Sequence, residues 1–209
     1  MPPALNHHPL SKYYRFQSQF YDLTRWSFLF GRRLLIRSLP FHPKTRFRVL
    51  EVGCGTGKNL TAIARRFPHA QITGIDLSED MLSICRKKLT PYNGRVTTVH
   101  GAFGEVKLRE NFDLIIFSYC LTMVNPGGGR LIRLAAASLV PNGVIAAVDF
   151  HDSPLTSFQR HMHGHHVRLE AQLLPEFKDI FQTKEATVHK AYLGVWQWFS
   201  FIGERRNTY

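Results

Sequence analysis

Apolar and polar residues alternate along the chain in blocks that predict strands and helices in regular succession. Short apolar runs typical of buried strands are each followed by a stretch with helical spacing. The predicted strands are residues 48–52, 71–75, 96–100, 112–119 and 144–150. The predicted helices are residues 59–67, 78–89, 131–139 and 173–180. Strands that alternate with helices predict a mainly parallel sheet with helices on both faces.

The two ends of the chain carry aromatic residues in patterns of their own. Near the N-terminus Ser11 is a candidate N-cap for an amphipathic helix, which either docks on the domain or lies in a membrane interface. One stripe of this helix is formed by Tyr14, Tyr21, Arg25, Phe28 and Arg32. Residues 191–203 are uncharged and aromatic, which is typical of closing strands of a sheet; an interfacial aromatic patch is the alternative.

The charge distribution adds a partner to this picture. The chain of 209 residues has a net charge of +12, and Asp22 is the only acidic residue among the first fifty. Such a segment is attracted to anionic lipid or nucleic acid, or it is simply a solvated basic face. No apolar run reaches the ~20 residues that a membrane span needs, and we expect no secretory signal. The three scattered cysteines favour reduced thiols over disulfides.

A glycine motif follows the first predicted strand. The stretch VLEVGCGTG, residues 49–57, leads from this strand into a helix, and Asp76 ends the next strand 19 positions after Gly57. Glycines let the backbone turn tightly near a ligand, and an acidic residue at this position can bind ribose hydroxyls. Dinucleotide sites use G-x-G-x-x-G to hold a pyrophosphate. The glycine spacing here differs from that pattern, although its place between a strand and a helix is that of a Rossmann-like loop.

The stretch resembles motif I, E-x-G-x-G-x-G, of class I S-adenosylmethionine-dependent methyltransferases. GIDLSEDML at 74–82 and FDLI at 112–115 resemble two further motifs of that family, so the likeness covers about residues 47–150. It implies an α/β, Rossmann-like fold with a mainly parallel seven-stranded sheet, helices on both faces and an N-terminal amphipathic helical extension. The expected division is a helical, membrane-facing cap at 1–43 and the methyltransferase domain at 44–209. The implied cofactor is S-adenosyl-L-methionine, with S-adenosyl-L-homocysteine as product.

The same resemblance implies a set of cofactor-binding residues. They are Tyr21, Arg25, Glu51, Gly53, Gly55, Gly57, Asp76, Leu77, Met81, Ala102, Phe103 and Ser118. The glycines would shape the pocket around the methionine end, Asp76 would bind the ribose, and Leu77 and Met81 would flank the adenine. Ser118 and Tyr119 would face the cofactor from below. The family's acidic residue after the third strand is missing from HGAF at 100–103, so backbone groups would contact the adenine there.

The flanks of the core resemble bacterial phospholipid and betaine-lipid N-methyltransferases. The similar stretches are YR at 14–15, FYDLTR at 20–25, SYCLTMV at 118–124 and VDFHD at 148–152. The implied reaction is stepwise methylation of a headgroup amine, of diacylglycerylhomoserine or phosphatidylethanolamine. The enzyme would act from the cytoplasm at the anionic inner face of the cell membrane, with the enzyme that makes the lipid precursor as a further partner. No stable nucleic-acid partner is expected.

This chemistry suggests roles for five catalytic residues. Methyl transfer requires alignment and a neutral amine, so Asp149 or His151 at a strand end could accept its proton. The aromatic faces of Tyr14, Tyr21 and Tyr119 could hold the growing cation. The plainer interpretations are that the tyrosines only pack the helix and that Asp149 only satisfies backbone donors.

Two other functions stay open, and a cluster of histidines raises the separate question of metal binding. Methylation of a quinone precursor or another small molecule would need no aromatic residues to hold a cation. An RNA methyltransferase would explain the basic charge. The histidines at 161, 163, 165 and 166 resemble a metal cluster but have no carboxylate or cysteine at ligand spacing, so we predict no metal. A loop over the substrate is the preferred interpretation, with His166 and Val167 lining the pocket.

Overall fold

The computed structural model describes residues 29–108, 111–124 and 127–206. The helices are α1 (Arg32–Ser38), α2 (Lys58–Arg66), α3 (Glu79–Leu89), α4 (Gly128–Ser138), α5 (Thr156–Gly164) and α6 (Leu173–Ile180). The strands are β1 (Arg48–Val52), β2 (Gln71–Asp76), β3 (Val96–His100), β4 (Phe112–Ser118), β5 (Leu139–Phe150), β6 (Phe181–Ala191) and β7 (Trp196–Arg205). The predicted N-terminal helix with Tyr14, Tyr21 and Arg25 lies outside the described residues.

The seven strands form one sheet in the order β3-β2-β1-β4-β5-β7-β6. The first five strands pair in parallel, and β7 runs antiparallel to both of its neighbours. The chain order reverses between β1 and β4, and the carboxyl ends of both strands meet at the same edge. Ligands of doubly wound sheets bind in the crevice at such a reversal. The predicted Rossmann-like architecture is confirmed.

The sequence pattern missed one strand and one helix. β6 was not predicted because it is an edge strand whose interior is mostly exposed, so its sequence lacks apolar alternation. The histidine-rich stretch, expected as a loop, begins within α5, which contains His161 and His163. Helix α4 begins at Gly128, three residues before the predicted start. None of the described helices is long and apolar enough to cross a membrane.

Two apolar clusters cover the faces of the sheet, and β7 contributes to both. Trp196 and Trp198 belong to the cluster under α1, α2 and α3, whereas Phe199 and Phe201 belong to the cluster under α4 and α6. Side chains of a strand alternate between faces, so β7 supplies large aromatic groups to each core. The aromatic stretch at 191–203 is therefore largely a core strand, as expected. Its first residues form the turn between β6 and β7.

Gly31 lets the start of α1 approach β7. It has a φ of 77° and precedes the first residue of the helix. A Cβ atom built at this position would overlap the ring of Trp198. The two buried residues of α1, Leu35 and Ile36, lie in the same cluster as Trp198. The absence of a side chain at Gly31 is therefore a condition for the docking of α1.

We expect Gly31→Ala to destabilise the protein more than Gly94→Ala does. Gly94 also has a positive φ, 91°, but a Cβ atom there would meet open space. The backbone strain of alanine, about 1 kcal/mol, is common to both variants, and overlap with Trp198 adds roughly 1–3 kcal/mol at Gly31. Urea unfolding of both variants measures the difference. Equal losses would show that α1 does not depend on this contact.

Candidate active site

The glycine loop after β1 takes a left-handed conformation at each of its three glycines. The φ angles of Gly53, Gly55 and Gly57 are 69°, 52° and 76°. A Cβ atom at Gly53 would lie 2.7 Å from the Cβ of Cys120, but one at Gly55 would meet nothing within 4 Å. Packing against Cys120 therefore requires a glycine at position 53. Only the middle one faces open space, which a ligand can occupy.

All three cysteines lie around this loop, although they are far apart in sequence. Cys54 is part of the loop, its thiol is hydrogen-bonded to that of Cys85, and a Cβ atom at Gly57 would lie 2.5 Å from Sγ of Cys85. The Sγ of Cys120 donates to the carbonyl of Val52 at 3.3 Å. The hydrogen bond with Cys85, followed by burial, raises the pKa of Cys54, and burial raises that of Cys120. All three cysteines pack around the loop and shape it, and the thiols of Cys54 and Cys120 stay neutral.

Asp76 connects the glycine loop to the end of β2. Its Oδ2 accepts a hydrogen bond from the N–H of Gly55 at 2.7 Å, and its Oδ1 accepts one from the N–H of Ser78 at 2.9 Å. Burial raises the pKa of Asp76, while these backbone donors lower it. Each carboxylate oxygen keeps further acceptor capacity. The geometry is compatible with the predicted contact to ribose hydroxyls and adds a second role, positioning of the loop.

Glu51 is a buried carboxylate with one satisfied oxygen. Its Oε1 accepts a hydrogen bond from Nδ2 of Asn59 at 2.7 Å. Its Oε2 is buried and has no hydrogen-bond partner among the described residues. Burial raises the pKa of Glu51 to about 8, and the charge of Arg32 on α1 opposes this shift. An unsatisfied buried acceptor beside the glycine loop fits the ammonium group of an amino-acid ligand.

Ser118 and Tyr119 stand at the end of β4, as expected. The Oγ of Ser118 is buried without a partner in the described part of the chain. Tyr119 has a φ of 54°, and its hydroxyl donates to the carbonyl of Phe30 at 2.8 Å. Burial raises the pKa of Tyr119 well above its ordinary value, so the hydroxyl stays protonated. Tyr119 offers the site a ring, because its hydroxyl is already used.

Aromatic rings continue from Tyr119 to the surface and form an aromatic wall, defined here as Tyr119, Phe150, Trp196 and Phe30. The ring centroids of Tyr119 and Phe150 are 4.8 Å apart, and those of Phe150 and Trp196 are 5.1 Å apart. Phe30 follows at 5.8 Å from Trp196. These residues come from four segments, so no local sequence pattern could have revealed the wall.

The residues predicted to flank the adenine lie after β2 and β3. Leu77 is half-buried and Met81 is buried, with its N–H donating to Oγ of Ser78 at 3.3 Å. The carbonyl of Ala102 accepts from the N–H groups of Glu105 and Val106. This carbonyl is therefore committed to a turn, and the expected adenine contact would have to come from N–H groups or from the largely buried ring of Phe103.

Asp149 is fully buried, and both of its oxygens accept several hydrogen bonds. Oδ2 accepts from the N–H groups of Cys120 at 3.1 Å and Leu121 at 2.9 Å. Oδ1 accepts from the hydroxyl of Thr122 at 2.6 Å and from the N–H of Phe150 at 2.9 Å. Burial raises its pKa to about 6, against these donors. The geometry favours the plainer of the two interpretations, a carboxylate that satisfies backbone donors, over a proton acceptor.

His151 lines a cavity of about 330 Å³ beside the ends of β4 and β5. Its Nδ1 is buried and has no hydrogen-bond partner among the described residues. Burial lowers the pKa of His151, which favours a neutral ring. Other residues around this cavity are Thr122, Arg130, Arg133, Arg168, Glu170 and Glu176. His151 therefore brings its ring to a largely polar cavity, and its buried Nδ1 keeps hydrogen-bonding capacity that no described residue uses.

Of the remaining predicted residues, His166 and Val167 can be compared with this cavity. Tyr14, Tyr21 and Arg25 lie outside the described residues. His166 is exposed, Val167 is buried, and neither lines the cavity. The described ranges contain no group of three or more side chains placed to hold a metal ion.

Sequence reasoning missed the residues that position others. Asn59 orients Glu51, and Thr122 orients Asp149, but neither stands at a spacing that marks its role. The three arginines of the cavity come from α4 and from the segment before α6, so their proximity follows only from the fold. A signal existed for Arg130 and Arg133, which are three positions apart and hence on one helical face.

Asp76→Ala is expected to weaken binding of S-adenosyl-L-homocysteine at least about tenfold, because hydrogen bonds to a charged group contribute about 1.5–3 kcal/mol each. Isothermal titration calorimetry measures the affinity. Asp113→Ala is the control, since Asp113 binds Arg48 at the opposite end of the sheet. Unchanged affinity in the Asp76 variant would place the ligand elsewhere.

Affinity for the same ligand is expected to rise with pH up to about 8. Glu51 is protonated below its pKa of about 8, and only its carboxylate pairs with an ammonium group. Binding therefore releases a proton, with a limiting slope of about tenfold per pH unit. Calorimetry in buffers of different ionisation enthalpy measures this proton. Glu51→Gln should abolish both the proton release and the slope; a slope that persists would exclude Glu51 as its source.

Comparison with known proteins supports the cofactor. Residues 49–143 match the family described as "Methyltransferase domain". Over 68 residues the chain is 40% identical to the malonyl-(acyl-carrier protein) O-methyltransferase of Priestia megaterium. The aligned residues are 32% of this chain and 24% of that protein. The chain spans less than half the length of the curated relatives that it matches.

Solved structures of similar fold include two N-methyltransferases. The N-methyltransferase NodS from Bradyrhizobium japonicum, in complex with S-adenosyl-L-homocysteine, has a TM-score of 0.76 and 15% identity, covering 94% of this chain and 98% of that one. Phosphoethanolamine N-methyltransferase 2 of Haemonchus contortus has a TM-score of 0.77 and 15% identity, covering 99% of this chain and 62% of that one. Residues 49–143 thus match a methyltransferase domain in sequence, and the chain shares its fold with these two N-methyltransferases.

Proposed function

We propose that this protein methylates the headgroup amine of a membrane lipid, either diacylglycerylhomoserine or phosphatidylethanolamine. The observation that carries the proposal is the cavity at the carboxyl ends of β4 and β5. His151, whose Nδ1 has no hydrogen-bond partner among the described residues, and three arginines line this cavity. Such a cavity suits an acceptor that combines an amine with an anionic group. The bound cofactor supplies an electrophilic methyl group on a sulfonium.

His151 is the proposed proton acceptor. An ammonium group cannot attack the methyl carbon, so one proton must leave before each transfer. The neutral ring of His151 can take that proton on Nδ1, which is unpaired in the described part of the chain. Asp149 has no comparable capacity, because its oxygens accept from the loop after β4. In this proposal Asp149 positions that loop, and proton transfer is assigned to His151.

The aromatic wall would stabilise the methylated product. Each methyl transfer leaves a cationic nitrogen, and an aromatic face contributes roughly 0.5–2 kcal/mol to cation binding. Tyr119 and Phe150 are adjacent to the end of β4, where the methyl group would be presented. Tyr14 and Tyr21 stay proposed contributors to cation binding, and Arg25 stays a proposed cofactor-binding residue. The wall matters for N-methylation and has no task in methylating a neutral acceptor.

Arg130, Arg133 and Arg168 are the proposed ligands of the anionic group. Arg168 is only loosely paired with Glu170, at 3.9 Å. Glu176 lies against Gly129, where a Cβ atom would overlap its carboxylate, so part of the positive charge in the cavity is offset. Arginine binds both carboxylate and phosphate in a bidentate manner. Both proposed lipids carry such a group, and the phosphoethanolamine enzyme of similar fold acts on a related headgroup.

The proposal includes the place where the enzyme meets its lipid substrate. The lipid would be reached at an anionic membrane surface on the cytoplasmic side, which the net charge of +12 supports. The enzyme that makes the lipid precursor is a proposed partner, and nucleic acid is not.

A second candidate is O-methylation of a carboxylate, because one of the matching curated relatives is a malonyl-(acyl-carrier protein) O-methyltransferase. The arginines of the cavity would bind such an acceptor as well. A carboxylate is ionised at neutral pH and needs no proton acceptor, so the two candidates differ in their dependence on His151.

Labelled methyl groups from S-adenosyl-L-methionine are expected to appear in diacylglycerylhomoserine or phosphatidylethanolamine when the enzyme meets a panel of acceptors. The panel also contains a quinone precursor, RNA and small carboxylic acids. His151→Ala should lower kcat about a hundredfold or more, with most of the loss recovered at high pH, where the amine is neutral without help. His163→Ala, an exposed histidine of α5, is the control. Label only in a carboxylic acid, insensitive to His151, would establish the second candidate instead.

A further inference from the structure

The turn between β6 and β7 holds an apolar side chain entirely in solvent. Tyr192, Leu193 and Gly194 have φ angles of 48°, 58° and 97°, so three consecutive residues are left-handed. The relative exposure of Leu193 is 109%, the highest among the large apolar residues of the described chain. Left-handed backbone is unfavourable for residues other than glycine, so this turn keeps Leu193 outward at a conformational cost.

Two further exposed apolar residues, Phe30 and Leu155, lie beside this turn. Together with Tyr192 and Leu193 they form the apolar rim. The ring centroids of Phe30 and Tyr192 are 5.7 Å apart. Ser153 connects Leu155 to the other end of the turn, since its Oγ accepts from the N–H of Leu155 and donates to the carbonyl of Val195. The rim therefore joins three segments that are distant in sequence.

The apolar rim adjoins the aromatic wall. Phe30 belongs to both, because its ring contacts Tyr192 and Trp196 while its carbonyl accepts from the hydroxyl of Tyr119. A lipid whose headgroup lies along the wall would thus have its acyl part on the side where the rim meets solvent.

Positive charge surrounds the apolar rim. Lys190 is exposed, and its Cδ lies 4.0 Å from the position of a Cβ atom at Gly194. Arg33, at the start of α1 and three residues after Phe30, is exposed as well. Asp152 precedes Leu155, but its Oδ1 already accepts from the N–H of Ser153 and the amide of Gln159. Protruding apolar side chains flanked by cations are the features by which a protein enters an anionic membrane interface.

We propose that the apolar rim inserts into the interface of an anionic lipid bilayer, with Leu193 as its deepest residue. This inference rests on the proposed lipid function for its purpose, but binding to a membrane can be measured without any methyl transfer. It would place Phe30, the exposed end of the aromatic wall, against the membrane.

The test is co-sedimentation of the full chain with vesicles of equal parts phosphatidylglycerol and phosphatidylcholine. Leu193→Ser is expected to reduce the partition coefficient about fivefold to tenfold, since insertion scales with the apolar area that it buries. Val188→Ser is the matched control, because Val188 is 42% exposed on β6 and belongs to no part of the rim. Lys190→Glu should reduce binding at low salt and have a smaller effect at high salt.

The outcomes separate this inference from the proposed function. Loss of vesicle binding in Leu193→Ser with no lipid methylated by the native protein would support the rim and overturn the lipid acceptor. Unchanged vesicle binding in Leu193→Ser would overturn the rim, even if lipids are methylated. A change in oligomeric state by light scattering, without a change in vesicle binding, would show that a second copy of the chain covers this surface. Lipid dispersed in detergent should be methylated equally by Leu193→Ser and the native protein.

Discussion

The buried carboxylate of Asp149 holds together the part of the structure on which the site depends. It lies at the end of β5, and its oxygens bind the chain that follows β4 through two backbone N–H groups and the hydroxyl of Thr122. A buried carboxylate is costly unless its acceptors are satisfied, and here they are. The loop that it restrains begins at Tyr119 and includes Cys120, so the aromatic wall and the packing against Gly53 follow from this one group.

The glycine loop shows how the packing of the protein and the binding of a ligand divide one motif between them. Gly53 and Gly57 are required because Cys120 and Cys85 approach them closely, whereas Gly55 faces open space. Beside it, Glu51 keeps one buried oxygen without a partner among the described residues. Burying an unsatisfied acceptor lowers stability, so the cofactor-binding end of the sheet is less stable alone than with a ligand.

Prediction from sequence succeeded where a residue's place in the fold depends on its own strand or loop, and the cofactor-binding roles of these residues stay predictions. The five parallel strands, the glycine loop and Asp76 each follow from short stretches whose apolar pattern and glycine spacing have direct physical meaning. The edge strand β6 was missed because little of it is buried. The same limit applies to Asp149, since its position at a strand end is equally compatible with proton transfer and with capping of a neighbouring loop.

By itself, the sequence determined the Rossmann-like fold, the place of the cofactor loop and the basic character of the chain, because local periodicity and composition decide these. Only the tertiary structure decided that three distant cysteines surround the loop, that His151 keeps an unpaired nitrogen in an arginine-lined cavity, and that Phe30 joins Leu193 in the apolar rim. The reason is physical. Each of these arrangements joins segments that strand order and sheet register bring together. No single position of the chain encodes the strand order or the register.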